Sequence, residues 1–446
     1  MTQKKVDIIV IGAGPGGLAA AHGLNSSKSV LVVENDLWGG TCPNRGCDPK
    51  KMLYSIIHTK KQGEFLKNAG LICNPGINWE EMMAFKSDYT SKIPTGTLNG
   101  LNRSNITTEH GSPKFISENE IEVNDTIYEA DKFIIATGLK PVIPDIPGAE
   151  LLQTSTDFLQ LPSLPKNIAF IGGGFVSIEL ANIANESGAK VHIIQHNDRV
   201  LKEFPKEFAN KIVEMMKANG VEFHFDTEVS EVKNSVDKTY KVIGSNGLSL
   251  NVNAVFSAMG RRPDLQSLNL EMADVESDNR GIIVNDHLQT TNPIIYAVGD
   301  VIKKTQPKLT PVASFEGRYV ASDILNSDND KIQYPSVPEV VYSTSELAQV
   351  GIRVADAEQQ PDKYQIKNFD VGNWYTFNRI KDPNAYVQTI IDKSNNQIVG
   401  ATVVSMLADE LINYFAIAID NHQSAGTISN MITAYPTPAS DMQYYL

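Results

Sequence analysis

Val6-Asp7-Ile8-Ile9-Val10-Ile11-Gly12-Ala13-Gly14-Pro15-Gly16-Gly17 is an apolar run that leads directly into a cluster of glycines. Its first half is mostly β-branched, which is typical of a parallel strand buried on both faces. Gly12, Gly14 and Gly17 fit the G-x-G-x-x-G pattern. In that pattern the glycines allow a tight turn, a close approach to a pyrophosphate and close packing of the next helix. The stretch therefore predicts the start of a dinucleotide-binding unit.

The residues after this turn complete the pattern. We predict a helix over residues 18–24 and a second strand over residues 29–33, which is followed by Glu34. Glu34 lies 22 residues after Gly12, where its carboxylate would accept a hydrogen bond from a ribose hydroxyl. A lone glycine motif is a weak signal, but a strand, turn, helix, strand and acid in this order are a strong one.

A second unit of the same kind is predicted downstream. Its strands cover residues 168–171 and 190–194, and its helix covers residues 178–187. Serine replaces the third glycine of the turn and is small enough to allow close packing. The motif positions of this turn are Gly172, Gly174 and Ser177.

The segment after the last strand of the second unit lacks the acidic residue of the first. Gln195 takes its place, and His196, Arg199 and Lys202 follow. Without the carboxylate a ribose 2′-phosphate is not repelled, and the three basic residues would attract it. The segment therefore favours NADP over NAD. A solvated basic turn that binds nothing is the alternative.

Residues 39–51 contain two of the three cysteines, Cys42 and Cys47. Residues five apart in a straight helix lie roughly 8–9 Å apart at Cα, whereas a disulfide requires about 4.4–6.8 Å. A disulfide would thus need a break in the helix, which Pro43 and Gly46 permit. Two unpaired thiols or half of a metal site are the alternatives. The metal site is the weaker one, because Cys73 is the only other cysteine.

The composition excludes several classes of protein. The 446 residues predict about three domains, and the net charge of −13 argues against a nucleic acid or an anionic membrane as partner. Three cysteines do not make a secreted disulfide framework. The apolar run near the N-terminus is too short for a signal peptide, and no apolar stretch reaches membrane-spanning length. We expect a cytoplasmic protein, in which a disulfide is transient and catalytic.

The two nucleotide units and the Cys-x4-Cys loop together resemble the class I pyridine nucleotide-disulfide oxidoreductases, the flavoprotein disulfide reductase family. The resemblance covers nearly the whole chain and implies that the first unit binds FAD and the second binds NADPH, with NADH possible. Further short motifs occur in the family's order: Ala136-Thr137-Gly138, Ala258-Met259-Gly260-Arg261-Arg262-Pro263, Ala297-Val298-Gly299-Asp300 and Leu309-Thr310-Pro311-Val312-Ala313.

The resemblance also implies the domain organisation of an α/β protein. An FAD-binding domain would cover residues 1–147 and 274–328, an NAD(P)H-binding domain residues 148–273, and a dimerisation domain residues 329–446. The two nucleotide domains would be Rossmann-like, and the last domain α+β with one helix over residues 407–420. The protein would be a homodimer that acts on a small-molecule disulfide, without a nucleic-acid or membrane partner.

The family's motifs assign roles to individual residues. Cys42 and Cys47 would form the redox-active disulfide, with Cys47 facing the flavin as a thiolate and Cys42 attacking the substrate. Lys50 would pair with Glu179 beside the flavin. The residues expected at FAD are Gly12, Gly14, Gly17, Glu34, Gly40, Thr41, Lys51, Thr137, Gly138, Asp300, Thr310, Pro311 and Val312. Those expected at NADPH are Gly172, Gly174, Phe175, Ser177, His196, Arg199, Lys202 and Gly260.

The C-terminal segment departs from the family. Relatives have a His-Pro-Thr-x-x-Glu sequence, contributed by the partner subunit, whose His handles the thiol proton. Here Tyr435 replaces the His and Ser440 the Glu, with Asp441 adjacent. A tyrosine, with an ordinary pKa of about 10, is a poor base at neutral pH but can donate a proton. Three explanations stay open: Tyr435 is the acid, the leaving thiol needs none, or the substrate is not a disulfide.

The cysteine loop also departs from the family, because relatives usually carry apolar residues where this chain has Arg45 and Asp48. One interpretation is a salt bridge between these two residues across one turn, which contributes little if it is exposed. The other is that Arg45 favours the Cys42 thiolate and attracts anionic substrates.

Together these observations predict an FAD-dependent NADPH:disulfide oxidoreductase that reduces a low-molecular-weight disulfide, like a glutathione reductase. Two alternatives are an NAD(P)H diaphorase acting on quinones or metal ions, and a redox-sensing flavoprotein with slow turnover. No bound metal is expected.

Overall fold

The strand that leads into the first glycine motif belongs to a seven-stranded sheet in the computed structural model, which describes residues 2–67, 69–72, 75–326 and 330–446. Cys73 therefore lies outside the described residues. The chain forms two compact units: residues 1–51, 84–142 and 260–333 make the first, and residues 52–83, 143–259 and 334–446 make the second.

The sheet of the first unit is mainly parallel. In spatial order its strands are β3 (Thr107–His110), β2 (Val30–Glu34), β1 (Thr2–Ile11), β6 (Thr126–Ile135), β5 (Glu120–Val123) and β4 (Lys114–Ser117), with β18 (Ile295–Ala297) paired to β6. The β4–β5 and β5–β6 pairings are antiparallel, and the other pairings are parallel. The last four residues of β1 are at most 1% exposed, since both faces of the sheet are covered. This burial explains why the strand reads as a continuous apolar run.

The helices of the first unit are α1 (Pro15–Leu24), α2 (Thr41–Arg45), the start of α3 (Cys47–Phe65), the end of α4 (Trp79–Thr90), α5 (Ile93–Arg103) and α9 (Thr310–Leu325). Helices α1 and α9 pack closely on one another through glycines. A Cβ on Gly317 of α9 would lie 2.2 Å from the carbonyl oxygen of Gly16 in α1. Helix α1 begins at Pro15, before the predicted start at residue 18, because its glycines lie inside the first turn.

Shorter elements complete the first unit. They are the antiparallel pair β7 (Leu139–Pro141) and β15 (Arg261–Pro263), the hairpin β16 (Ser277–Asp278) and β17 (Gly281–Ile282), and two 3₁₀ turns, Leu270–Ala273 and Gly299–Val301. Residues 260–273 thus lie in the first unit, although the sequence assigns them to the domain 148–273. The proposed three-domain division stays a prediction.

The second unit contains a four-stranded parallel sheet built like the first nucleotide unit. Its strands, in spatial order, are β10 (Glu222–His224), β9 (Lys190–Ile194), β8 (Asn167–Ile171) and β14 (Ala254–Ser257). The helices of this region are α6 (Ser155–Phe158), α7 (Phe175–Glu186) and α8 (Lys206–Ala218). An antiparallel sheet follows: β11 (Val229–Asn234), β12 (Tyr240–Gly244) and β13 (Ser249–Val252).

The C-terminal part of the second unit is α+β. Its five-stranded antiparallel sheet has the order β19 (Glu339–Val341), β20 (Glu346–Gly351), β23 (Gln397–Ser405), β22 (Tyr386–Asp392) and β21 (Tyr364–Asp370). Its helices are α10 (Val354–Glu358), α11 (Tyr375–Asn378), α12 (Ala408–Asp420) and α13 (Ala425–Ser429), with a 3₁₀ helix at Pro438–Tyr444. Helix α12 matches the helix predicted over residues 407–420, whereas the shorter helices α10, α11 and α13 were not predicted. Two parallel nucleotide-type sheets and an α+β region confirm the predicted fold class.

None of the helices in the described part of the chain combines the length and apolar character needed to cross a membrane.

Candidate active site

The first glycine motif has no room for side chains at two of its positions. Gly12 has φ +105°, and a Cβ there would lie 2.5 Å from the carbonyl oxygen of Ala136. A Cβ on Gly17 would lie 2.0 Å from the carbonyl oxygen of Gly12. Gly14 is the N-cap of α1, and no side chain of the described residues caps this helix. The N–H groups at its N-terminus are the type of donor that binds a pyrophosphate.

The second glycine motif has similar backbone angles at its first two glycines. Gly172 has φ +109°, and a Cβ there would lie 2.5 Å from the carbonyl oxygen of Ala258. The N-cap of α7, Gly174, has φ −79° and ψ 176°, against −80° and −179° for Gly14. Ser177 is fully buried, so a small residue suffices at the third position. Both sites therefore have the backbone of a dinucleotide-binding turn.

The acidic residue at the end of β2 holds the glycine turn in place. Glu34 is buried and accepts hydrogen bonds from the backbone N–H groups of Ala13 at 2.8 Å and Asp36 at 2.9 Å. Burial raises the pKa of Glu34, and the two hydrogen bonds oppose this rise. The carboxylate lies at the end of the strand, where a ribose would approach.

The basic segment of the second unit divides into two kinds of residue. The guanidinium of Arg199 donates to the carbonyl oxygens of Lys202, at 3.0 Å, and Phe204. Arg199 therefore holds the turn together, which its sequence position alone did not indicate. His196 and Lys202 are exposed, and Gln195 donates to Asn197 at 2.8 Å. Contact of His196 and Lys202 with a phosphate stays a prediction.

Two buried polar atoms at the predicted FAD positions lack a hydrogen-bond partner among the described residues. They are Oγ1 of Thr137, which follows β6, and Oδ1 of Asp300, which follows β18. Burial raises the pKa of Asp300. A buried polar atom without a partner is costly, and the hydroxyls of a bound ribitol would satisfy both. The residues present thus fit a flavin nucleotide.

A buried ion pair that the sequence did not indicate supports the segment around Asp300. Glu316 on α9 is fully buried and pairs with Lys304 at 2.7 Å. Its second oxygen accepts the N–H of Gly299 at 2.6 Å. Glu316 therefore orients the backbone next to Asp300. No short motif marks this residue, because it acts through positions 12 and 17 residues away.

The helix breaks between the two cysteines, as a disulfide would require. Helix α2 ends at Arg45, Gly46 has φ −130° and ψ −113°, and α3 begins at Cys47. A Cβ on Gly46 would lie 2.9 Å from the carbonyl oxygen of Thr41 and 3.1 Å from Cα of Cys42. The backbone thus turns back on itself at Gly46, so the predicted departure from regular helix is confirmed.

The loop that carries the cysteines rests on the first nucleotide turn. Gly40, just before α2, has φ +71°, and a Cβ there would lie 2.6 Å from Cα of Gly14. Thr41 is the first residue of α2. This contact places the cysteine loop beside the turn that would hold the pyrophosphate.

The environment of the two cysteines separates their acidities. Both are free thiols, and Sγ of Cys47 lies 4.0 Å from Oγ1 of Thr310. A hydrogen bond from Cys42 lowers the pKa of Cys47 to about 6, and the charge of Lys50 and the Thr310 hydroxyl add to this effect. The same hydrogen bond, burial and the negative charge of Cys47 raise the pKa of Cys42. At neutral pH the negative charge of the reduced pair therefore lies on Cys47.

Two helix starts contribute to this charge distribution. Lys50 and Lys51 lie in the first turn of α3, and both positive charges lower the pKa of Cys47. Thr310 is the first residue of α9, so the positive end of that helix dipole lies at Cys47. Pro311 and Val312 complete the first turn of α9. These contacts account for a thiolate at this position.

Other predicted residues lie in different parts of the fold. Glu179 is buried in α7 and accepts the N–H of Tyr342 at 3.0 Å. Lys50 belongs to the first unit and Glu179 to the second, so their pairing stays a prediction. Phe175 begins α7 and is half exposed. Gly138 and Gly260 have φ +67° and +101° in the segments after β6 and β14.

Arg45 and Asp48 do not pair as the sequence suggested. The guanidinium of Arg45 pairs with Asp36, because the segment before the loop approaches it more closely. Asp48 instead accepts a hydrogen bond from the hydroxyl of Tyr89 at 3.2 Å and one from Sγ of Cys42 at 3.9 Å. The prediction of an Arg45–Asp48 salt bridge is therefore wrong. The negative charge of Asp48 instead raises the pKa of Cys42.

Tyr435 is 73% exposed and stacks on Tyr375, with ring centroids 6.1 Å apart. Ser440 donates to the carbonyl oxygen of Thr437 at 2.7 Å and accepts its N–H at 3.2 Å. Ser440 therefore caps the 3₁₀ helix, and Asp441 is buried. The acid role of Tyr435 stays a prediction.

The chain is similar to a large set of known enzymes. Residues 6–317 match the pyridine nucleotide-disulphide oxidoreductase family, and residues 337–444 match its dimerisation domain. A glutathione reductase from Burkholderia cepacia is 30% identical over 99% of this chain and 98% of its own length. Dihydrolipoyl dehydrogenases from Bacillus subtilis (strain 168) and Chlamydia muridarum (strain MoPn / Nigg) are 29% and 31% identical, over 97% and 98% of this chain and 94% and 95% of their own lengths.

Proposed function

Because this chain belongs to the pyridine nucleotide-disulphide oxidoreductase family, we propose that it reduces a low-molecular-weight disulfide with electrons from NADPH. Members of this family are flavin-dependent oxidoreductases that use FAD and a nicotinamide nucleotide, and the match to the dimerisation domain supports a homodimer. The finer parts of the proposal are the substrate class, the preference for NADPH and the roles of single residues.

The unequal acidity of Cys42 and Cys47 carries the proposal. Cys47, with a pKa of about 6, holds the charge of the reduced pair. Cys42 stays protonated until a substrate approaches, because Asp48 and Cys47 both raise its pKa. A pair of thiols with one stable thiolate is suited to accept two electrons and pass them to another disulfide.

FAD would be held by the turn at Gly12–Gly17, by Glu34, and by the unpartnered oxygens of Thr137 and Asp300. When bound, it would carry two electrons from NADPH to the Cys42–Cys47 disulfide. The disulfide bond would break, which would give a thiolate on Cys47 and a thiol on Cys42.

The reduced cysteines then act on the substrate in two exchange steps. Cys42 loses its proton and attacks one sulfur of the substrate disulfide, which forms a mixed disulfide and releases the first thiol with that proton. The thiolate of Cys47 attacks Sγ of Cys42, which restores the intramolecular disulfide and releases the second thiolate. In sum NADPH, one proton and one disulfide give NADP⁺ and two thiols.

The residue at position 435 favours disulfide reduction over dithiol oxidation. Oxidising a dithiol requires a strong base to remove its proton, and Tyr435 replaces the expected His. Donating a proton to a leaving thiolate is within the capacity of a tyrosine.

The charge of Arg45 is neutralised by Asp36. This pairing supports the view that Arg45 does not select anionic substrates.

A substrate panel tests the proposal. NADPH and NADH oxidation would be measured with glutathione disulfide, other small disulfides, a quinone and Hg²⁺. We expect disulfide turnover that Cys42→Ser abolishes, whereas the matched variant Cys73→Ser retains it. Quinone turnover that survives Cys42→Ser would indicate a diaphorase, and fast flavin reduction without turnover of any acceptor would indicate a sensor. Either result contradicts the proposal.

The nucleotide preference has a separate test. Lys202→Ala should raise KM for NADPH by about 10- to 100-fold, since a hydrogen bond to a charged group contributes about 1.5–3 kcal/mol. KM for NADH should not change, because NADH lacks the phosphate. Lys217→Ala, an exposed lysine on α8, is the matched control. An equal effect on both nucleotides would refute the assignment of Lys202 to the phosphate.

A further inference from the structure

A group of potential metal ligands lies on the edge of the parallel sheet in the second unit. His192 lies on β9, and Glu222 and His224 lie on the edge strand β10. Glu222 is the Cα partner of His192, and His224 lies two residues further along. Because side chains alternate along a strand, all three point to the same face. The proposed disulfide reduction uses none of them.

The three ligand atoms lie at the spacing of a metal site. Nδ1 of His192 lies 3.2 Å from Nε2 of His224 and 3.2 Å from Oε2 of Glu222. One ligand atom from each of the three residues lies within 4.8 Å of the other two. A tetrahedral site with zinc bonds of about 2.0–2.1 Å has ligand atoms about 3.3–3.4 Å apart. No other group of three His, Cys, Asp or Glu residues among the described residues has this arrangement.

Hydrogen bonding satisfies this group only in part. Nδ1 of His192 has two neighbours but can share a single proton, so it bonds to either His224 or Glu222. A divalent cation would be bound by all three atoms at once. Lys190 pairs with Oε1 of Glu222 at 2.9 Å, whereas Oε2 faces the imidazole of His192.

The exposure of the group also suits a cation. His192 is buried, whereas the side chain of Glu222 is 47% exposed at the sheet edge. An ion can enter from solvent on the side of Glu222.

We propose that His192, Glu222 and His224 form a site for one divalent transition-metal ion, Zn²⁺, with water as the fourth ligand. Two imidazoles and one carboxylate are a common zinc ligand set, and imidazole also suits Cu²⁺ and Ni²⁺. The ion ties the edge strand β10 to β9. Just beyond these strands, the backbone N–H of Gln195 donates to the carbonyl oxygen of His224 at 2.9 Å. The N–H of Thr227 donates to the carbonyl oxygen of Gln195 at 3.0 Å. The site therefore braces the start of the basic segment.

The test uses the full-length FAD-loaded protein with Cys42→Ser and Cys47→Ser, because a reduced dithiol would itself bind zinc. Zn²⁺ binding is measured by titration calorimetry and by metal analysis after gel filtration. We expect one ion per chain and a higher melting temperature with Zn²⁺. His224→Gln and Glu222→Gln should each weaken binding by more than about tenfold, the lower limit seen for residues that merely support a ligand. Co²⁺ should give the visible absorption bands of a four-coordinate site.

The controls separate the site from chance binding and from misfolding. His22→Gln, which changes an exposed histidine in α1, should bind Zn²⁺ like the parent. Equal FAD content and circular dichroism establish that the variants fold, and the partly exposed Glu222 makes this requirement easy to meet. Zn²⁺ affinity that is unchanged in both ligand variants would overturn the proposal, and so would a parent protein that binds no Zn²⁺. Cu²⁺ and Ni²⁺ titrations show which ion the site prefers.

Discussion

Replacing Cys42 with alanine should raise the pKa of Cys47. The largest contribution to the pKa of about 6 at Cys47 is the hydrogen bond from Cys42. Hydrogen bonds to charged groups contribute about 1.5–3 kcal/mol, which corresponds to about 1–2 pKa units. Because Cys47 is exposed, we expect the lower end, a rise of about one unit. Lys50 and Thr310 remain, so the pKa stays below the ordinary value of 9.0.

The change in thiolate fraction is readily measured near pH 6. There the thiolate fraction of Cys47 would fall from about one half to about one tenth, since a pKa of about 6 becomes about 7. The rate of alkylation by iodoacetamide follows the thiolate fraction. It should therefore fall roughly fivefold at pH 6 and about twofold at pH 7. The reaction is run on the reduced protein without oxygen, and mass spectrometry measures the Cys47 peptide with Cys73 as internal reference.

Cys42→Ser is the matched control, because serine keeps an O–H donor at the same place. The pH at which Cys47 reaches half of its maximal alkylation rate, the alkylation midpoint, should remain near that of the parent. If alanine and serine give the same midpoint, the hydrogen bond does not set the acidity of Cys47. If neither variant differs from the parent, the lysines and the start of α9 account for the low pKa instead.

Two further perturbations follow from charges within the first unit. Asp48→Asn removes the negative charge that raises the pKa of Cys42 and keeps an oxygen for the Tyr89 hydroxyl. Alkylation of Cys42 at pH 8 should become faster, and an unchanged rate would exclude this role. Glu316→Gln leaves Lys304, whose side chain is 4% exposed, as a buried charge without its partner. The free energy of unfolding should drop by about 3–5 kcal/mol, measured by urea denaturation, and Lys304→Met in addition should restore part of it; a drop within error would contradict the argument.

Several features of the site were predictable because they depend on local backbone. The turns at Gly12 and Gly172 need a positive φ and tolerate no Cβ, so their glycines are visible in the sequence. The helix break at Gly46 was predictable for a similar reason, since a disulfide between cysteines at this spacing is incompatible with a regular helix. In each case the constraint acts over a few residues.

Other features could not be predicted, because their partners come from distant segments. Tyr89 reaches Asp48 from 41 residues away. Arg45 pairs with Asp36 in the preceding loop instead of with the residue one turn ahead. The guanidinium of Arg199 turns towards backbone carbonyl oxygens and so does not extend into solvent, although its position suggested a phosphate contact. The sequence shows the charges but not their pairing.

The sequence by itself determined that this chain builds two dinucleotide units and carries a cysteine pair in a bent loop, because strand periodicity, glycine positions and cysteine spacing are local constraints. Tertiary structure alone decided where charge lies in that loop. Thr310 contacts Cys47 from 263 residues away in the sequence. Because Thr310 is the first residue of α9, this contact also places the N-terminus of α9 beside Cys47. Asp48 lies beside Cys42. Electrostatic interactions depend on distance in space, so the acidity of each sulfur follows from the packing that brings these groups together.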